Sequence, residues 1–229
     1  GNAFNPIVVT GANGSQCHGI PGNTQIKKGD LITMDTGAML AGYHSDMTRT
    51  VALGYVNDEQ RAIYNTVLKA QLAVIDGARP GMRCCDVDKI ARDIIETPYP
   101  NTFGHGLGHG VGFEIHEWPR FNKTDETICE PGMVITDEPG IYETDEVGIR
   151  IENELECVDA GTNQYGHWLK FEPLTLVPIS TEPVIVDELT RDQINWLNAY
   201  HAHVYEMLSP RLTEEEKTWL KAKTAPIDR

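Results

Sequence analysis

DLITMDTGAMLAGYHSDMTRTVAL, Asp30 to Leu53, reads as two strands joined by a turn. LITMDTG is the first strand, the turn falls around Ala41 and Gly42, and the β-branched run SDMTRTVAL is the second. A hairpin built this way carries Asp35 on one arm and Asp46 at the start of the other, eleven positions apart, and aims both carboxylates at one spot. Taken singly each is a residue that turns and caps also use. Together they repel unless a proton or a cation stands between them.

Downstream, Asp58 to Gly77 places Ile63, Val67, Ala70 and Val74 at helical spacing, with an acidic start and a glycine stop. Cys85 to Ile95 reads as a second amphipathic helix. Gly104 to Gly112 carries five glycines in nine residues, each costing about 1 kcal/mol in a helix, so a strand is expected. Its alternation sets His105, Leu107, His109 and Val111 on one face and leaves the other bare for close backbone approach. Met133 to Thr136 and Gly148 to Cys157 read as further strands, the latter with Arg150, Glu152 and Glu154 sharing a face. After Pro183 the chain turns helical, with a Thr190 cap, a stop at Pro210 and a final short helix in LTEEEKTWLKAKT. Antiparallel strands followed by separate helices give an α+β class.

The composition narrows the function. With 34 acidic against 19 basic residues, the net charge is −15, which disfavours nucleic acid and anionic membranes as partners. Two divalent cations would offset a minority of that excess, and the remainder reads as solubilising surface. No run reaches the ~20 apolar residues of a membrane helix, and the first residues lack a secretory pattern. The five cysteines are odd in number and form no CxxC, which argues against a disulfide framework or a zinc-thiolate site and suits a reducing cytoplasm.

The chemistry gathers around FGHGLGHGVGFEIHEWP, 103–119, which holds three of the eight histidines, at 105, 109 and 116. Imidazoles set among glycines have little shielding and are available as ligands or proton carriers. Glu138 in TDEPGIY and Glu152 in GIRIENE complete a set of four carboxylates and one imidazole, Asp35, Asp46, His109, Glu138 and Glu152. Such oxygen-rich sets suit Mn²⁺, Co²⁺, Fe²⁺ or Zn²⁺. A pair of these ions generates a bridging hydroxide at neutral pH and polarises a scissile carbonyl.

From Phe4 to Glu154 these motifs resemble the pita-bread metallopeptidases, which include methionine aminopeptidase, prolidase, aminopeptidase P and creatinase. The resemblance rests on the ligand order, the eleven-residue aspartate spacing, GHG at His109, EPG at Glu138 and GIRIEN at Glu152. It implies a curved antiparallel sheet flanked by helices. It also implies a cofactor of two divalent ions, Mn²⁺ foremost: Asp35 on one, Asp46 and Glu152 bridging, His109 and Glu138 on the other. Glu138 would also move protons, His18 and His116 would bind the substrate carbonyl, and His105, Tyr142 and Arg150 would shape the proline-side pocket. The three-histidine string, TRT after Asp46 and the TDEPGIY to GIRIEN block look most like the Xaa-Pro peptidases, and the tail motifs LKFEPLTLVPI, WLNAYH and WLKAKTAPI resemble the tail of cytosolic aminopeptidase P rather than that of prolidase. The expected substrate is then a peptide with proline in second position. Prolidase and a non-catalytic binding module stand as alternatives. The expected organisation is a catalytic domain over 1–182 and a helical extension over 183–229. Because the chain starts shortly before His18, its first helices and an N-terminal domain are expected to be missing, and the family likeness implies a homodimer.

Overall fold

A computed structural model describes residues 1–229 apart from Ala78 and Pro80. In chain order its elements are β1 (Ile7–Thr10), α1 (Gly11–Gly14), β2 (Leu31–Thr36), β3 (Met39–Leu40), β4 (Tyr43–His44) and β5 (Met47–Ala52). The helices α2 (Asp58–Gly77) and α3 (Cys84–Glu96) follow. Next come β6 (Gly108–Gly110), β7 (Glu117–Phe121), β8 (Val134–Asp137), β9 (Gly140–Glu143), β10 (Val147–Arg150), β11 (Asn153–Asn163) and β12 (Gly166–Pro173). The chain closes with α4 (Arg191–Leu208) and α5 (Glu214–Lys223).

The hairpin forms as its sequence dictates. β2 and β5 pair antiparallel with Asp35 opposite Thr48, and β1 adds to the outer side of β2. β3 and β4 make a small tip whose turn residues, Ala41 and Gly42, take φ of 53° and 89°. A second antiparallel sheet runs β12-β11-β8-β6-β7, and β9 pairs with β10. Against these sheets lies α2, with Ile63, Val67, Ala70 and Val74 buried as the 3.6-residue period requires. α4 starts at a capping box in which Thr190 and Gln193 exchange side-chain and backbone bonds, and its Ile194, Leu197, Tyr200 and Val204 enter the same core. Among the described residues no helix is long and apolar enough to cross a membrane.

Two strand expectations need correction. The glycine-rich run is a strand only over Gly108–Gly110. Before it, the backbone is satisfied by α3 side chains rather than by a ladder: Leu107 N donates to Asp88 Oδ1 at 3.0 Å, and Arg92 donates to the Phe103 and His105 carbonyls at 2.8 Å each. Gly148 to Cys157 is also two strands, broken at Ile151 and Glu152, because β10 pairs with β9 while β11 crosses to β8 and β12. The side-chain alternation survives the break, with Ile149 and Ile151 in the core and Arg150 and Glu152 on the opposite side.

Close approach explains one glycine in particular. A Cβ on Gly108 would stand 1.8 Å from the Thr136 carbonyl oxygen, whereas one on Gly104 would meet nothing within 4 Å. Gly108→Ala is therefore expected to cost about 3 kcal/mol, near the top of the overpacking range, and to lower the melting temperature by roughly 6–12 °C. Gly104→Ala is the control in the same thermal melt. Equal, small shifts in both would contradict the packing described.

Candidate metal centre

Five backbone segments deliver side chains to one cavity of about 440 Å³. Asp35 comes from β2, Asp46 from the residue before β5, His109 from β6, Glu138 from the turn after β8, and Glu152 from the break between β10 and β11. His18, His105, His116 and Arg150 line the same space, so each of these sequence-derived candidates reaches it. Tyr142 stands behind the wall: its hydroxyl accepts from Arg150 Nη1 at 2.7 Å and lies 3.1 Å from His105 Nε2.

Donor atoms of Asp46, His109 and Glu152 all lie within 4.8 Å of one another. His109 Nε2 is 3.6 Å from Asp46 Oδ2 and 3.4 Å from Glu138 Oε1. His109 Nδ1 lies 3.1 Å from the Gly110 carbonyl oxygen, which can only accept, so the proton sits on Nδ1 and the Nε2 lone pair faces the cavity. Asp35 Oδ2 accepts from Arg150 Nη2 at 2.6 Å. Asp35 Oδ1 and Asp46 Oδ1 are buried with no hydrogen-bond partner.

A second layer orients these groups. Thr48 Oγ1 donates to Glu152 Oε2 at 2.6 Å and accepts from Arg150 Nε at 3.0 Å. Thr136 Oγ1 donates to Glu138 Oε1 at 3.0 Å and accepts from His109 N at the same distance. Glu154 Oε1 accepts from Asp46 N at 2.6 Å. The sequence motifs give no role to Thr48, which enters them only as part of TRT, and none to Thr136 or to the cavity residues Phe4, Cys17, Ile115 and Arg120. Thr48 had a signal: it lies two positions from Asp46 on an alternating strand.

Burial, followed by the Asp35 charge, pushes the Asp46 carboxyl up to about 9. Burial also lifts Glu138 to about 7 and holds Glu152 well above the usual carboxylate range, with the Asp46 charge adding to the latter. Burial lowers His105 and His109 to about 4 each. Four carboxylates crowded together, with Arg150 paired among the described residues to Asp35 alone, cannot all ionise when so largely buried. Divalent cations resolve that frustration, and the two orphaned aspartate oxygens offer them lone pairs, so the donor set fits an oxygen-seeking metal.

These shifts set a pH dependence. A carboxyl with a raised pKa is protonated in the folded chain but ionised in the unfolded one from about pH 4 upward, so stability falls as pH rises toward 9. The histidines, with lowered pKa, remove stability only below about pH 6.5. Metal-free protein should therefore melt lower at pH 8.5 than at pH 6.5, with a slope on the order of 1 kcal/mol per pH unit per retained proton. Excess Mn²⁺ should abolish the difference. Equal melting temperatures without metal would contradict the shifts.

The sequence profile of metallopeptidase family M24 matches residues 1–159, and that of the C-terminal region of peptidase M24 matches 167–227. A Xaa-Pro dipeptidase from Pyrococcus furiosus is 45% identical over 163 residues, 71% of this chain and 47% of its own length. The chain thus spans about half the length of the curated relatives it matches. The solved prolidase from Pyrococcus furiosus superposes with a TM-score of 0.68 at 43% identity, covering 74% of this chain and 49% of that one. An X-prolyl aminopeptidase from Caenorhabditis elegans, described as a cytosolic enzyme with a di-nuclear active site, gives a TM-score of 0.87 at 30% identity. That likeness covers 99% of this chain and 39% of the other.

Proposed function

Because this chain belongs to metallopeptidase family M24 and has its pita-bread fold, we propose that it forms the catalytic part of a dinuclear-metal exopeptidase that removes the N-terminal residue from peptides with proline in second position. The observation that carries this reading is the convergence of Asp35, Asp46, His109, Glu138 and Glu152 on one cavity. Asp46 and Glu152 would bridge two ions, Asp35 would hold one, and His109 with Glu138 the other. Mn²⁺ is the first choice, with Zn²⁺, Co²⁺ and Fe²⁺ chemically suited. Bound divalent ions supply Lewis acidity, which activates water at neutral pH and polarises the scissile carbonyl.

The chain's own groups do the rest. Glu138 takes a proton from the attacking water and passes it to the proline nitrogen as the C–N bond breaks. His116 and His18 donate to the carbonyl oxygen as charge develops on it. His105 and Arg150, tied together through the Tyr142 hydroxyl behind them, shape the proline side. Residues 1–182 act as the catalytic domain and 183–229 as a helical extension packed on it. The same reading places the protein in the cytoplasm as a homodimer.

Support for an aminopeptidase comes from the likeness that runs through the helical tail to the nematode X-prolyl aminopeptidase. The higher identity to archaeal Xaa-Pro dipeptidases over 163 residues favours prolidase as a second reading. Parallel assays on a Xaa-Pro dipeptide and a Xaa-Pro-Xaa tripeptide separate them. Cleavage of the tripeptide is expected, and hydrolysis confined to the dipeptide would select prolidase.

A further inference from the structure

Glu152 sits where no ladder holds it. It lies between β10 and β11, and its main chain is bonded instead to the β5 segment: Glu152 N donates to the Thr48 carbonyl at 3.1 Å, and Arg49 Nη1 donates to the Glu152 carbonyl. Arg49 is 2% exposed, and among the described residues it pairs with no carboxylate. Its five N–H groups are all spent on neutral acceptors. Nη1 also reaches the Thr48 carbonyl at 2.8 Å, and Nη2 reaches Asn153 Oδ1 at 2.7 Å, the Val177 carbonyl at 2.8 Å and Tyr200 Oη at 2.9 Å. Nε lies 3.1 Å from the Pro178 carbonyl oxygen. Tyr200 belongs to α4, is itself buried, and its hydroxyl reaches the Val177 and Thr175 carbonyls at 2.8 and 2.9 Å.

A buried guanidinium without a counter-carboxylate is costly, and a planar fork with every donor used fixes the groups it touches. Here one face of the fork grips the Thr48 and Glu152 main chain, and the other grips the C-terminal segment. We propose that Arg49 and Tyr200 are positioning residues through which the segment from Thr175 to α4 sets the placement of Glu152, and with it the affinity of the metal centre. This rests on the reading of Glu152 as a metal ligand. Thr48 completes the linkage, since its main chain is held by Arg49 while its hydroxyl donates to the Glu152 carboxylate.

The test uses the full natural protein carrying Tyr200→Phe, Arg49→Lys or, as a control, Val204→Ala, which opens a buried apolar site on α4. Mn²⁺ binding is measured by titration calorimetry, and hydrogen exchange over residues 147–156 by mass spectrometry on metal-free protein. Tyr200→Phe should weaken Mn²⁺ binding about tenfold, the low end for loss of a group that supports a ligand, and should speed exchange around Glu152. Arg49→Lys should exceed that effect, because an ammonium cannot reproduce the fork. Val204→Ala should lower the melting temperature without moving either readout. Tyr200→Phe behaving like Val204→Ala would overturn the proposal, even if Arg49→Lys fails to fold. Should the parent protein bind no Mn²⁺, the metal reading falls, and the exchange rates still decide whether Tyr200 holds the Glu152 backbone.

Discussion

Asp46→Ala should leave a folded protein that no longer holds two ions, and hydrolysis of a Xaa-Pro-Xaa peptide should fall by roughly 10³-fold or more. Asp46 is one of three mutually close donors, its Oδ2 lies 3.6 Å from His109 Nε2, and burial followed by the Asp35 charge raises its pKa. Its removal deletes the carboxylate assigned to both ions. Folding should survive, because the backbone bond from residue 46 to Glu154 does not need the side chain and a source of carboxylate repulsion disappears. Metal content by mass spectrometry checks this directly. Retention of two ions per chain would contradict the bridging role, whereas a metal-free variant melting far below the parent would contradict the electrostatic reasoning.

His116→Ala should behave differently, sparing the metals and lowering turnover by about 10²-fold or more. Its ring centroid is 4.2 Å from that of His109, but it is exposed at the mouth of the cavity. A donor to the carbonyl oxygen contributes most in the transition state, so kcat should fall with little change in KM. Equal metal loss in His116→Ala and Asp46→Ala would contradict the division of roles.

The convergence of the candidate residues on one cavity was legible because its signals are local. The Asp35–Asp46 spacing is a property of one hairpin, and the glycines around His109 and the EPG at Glu138 mark backbone that must pass close to a neighbour. What stayed hidden depends on partners remote in the chain. TRT after Asp46 marks Arg49 only as part of a family motif, and its role as a buried fork stays hidden because its partner Tyr200 lies 151 positions away. The break at Ile151 and Glu152 is invisible to periodicity because the side-chain alternation continues through it while the backbone changes sheets. In the arm β11–β12 the residues from Asp159 to Trp168 are exposed and carry no apolar alternation, so only the base of β12, with Leu169 and Phe171 buried between exposed Lys170 and Glu172, offers a strand signal. Only Gly161 and Gly166, with φ of 90° and 137°, mark its bulge and its turn. The run from 104 to 107 misled in the opposite direction, because side chains of α3 satisfy a backbone that alternation assigns to a ladder.

Anomalous scattering from crystals of the Mn²⁺-loaded protein, with tripeptide cleavage measured on the same preparation, addresses the metal centre most directly. Two peaks are expected inside the cavity, both in contact with Asp46 and Glu152, one reached by Asp35 and the other by His109 and Glu138. No peak among these five side chains in an active preparation would contradict the proposed centre.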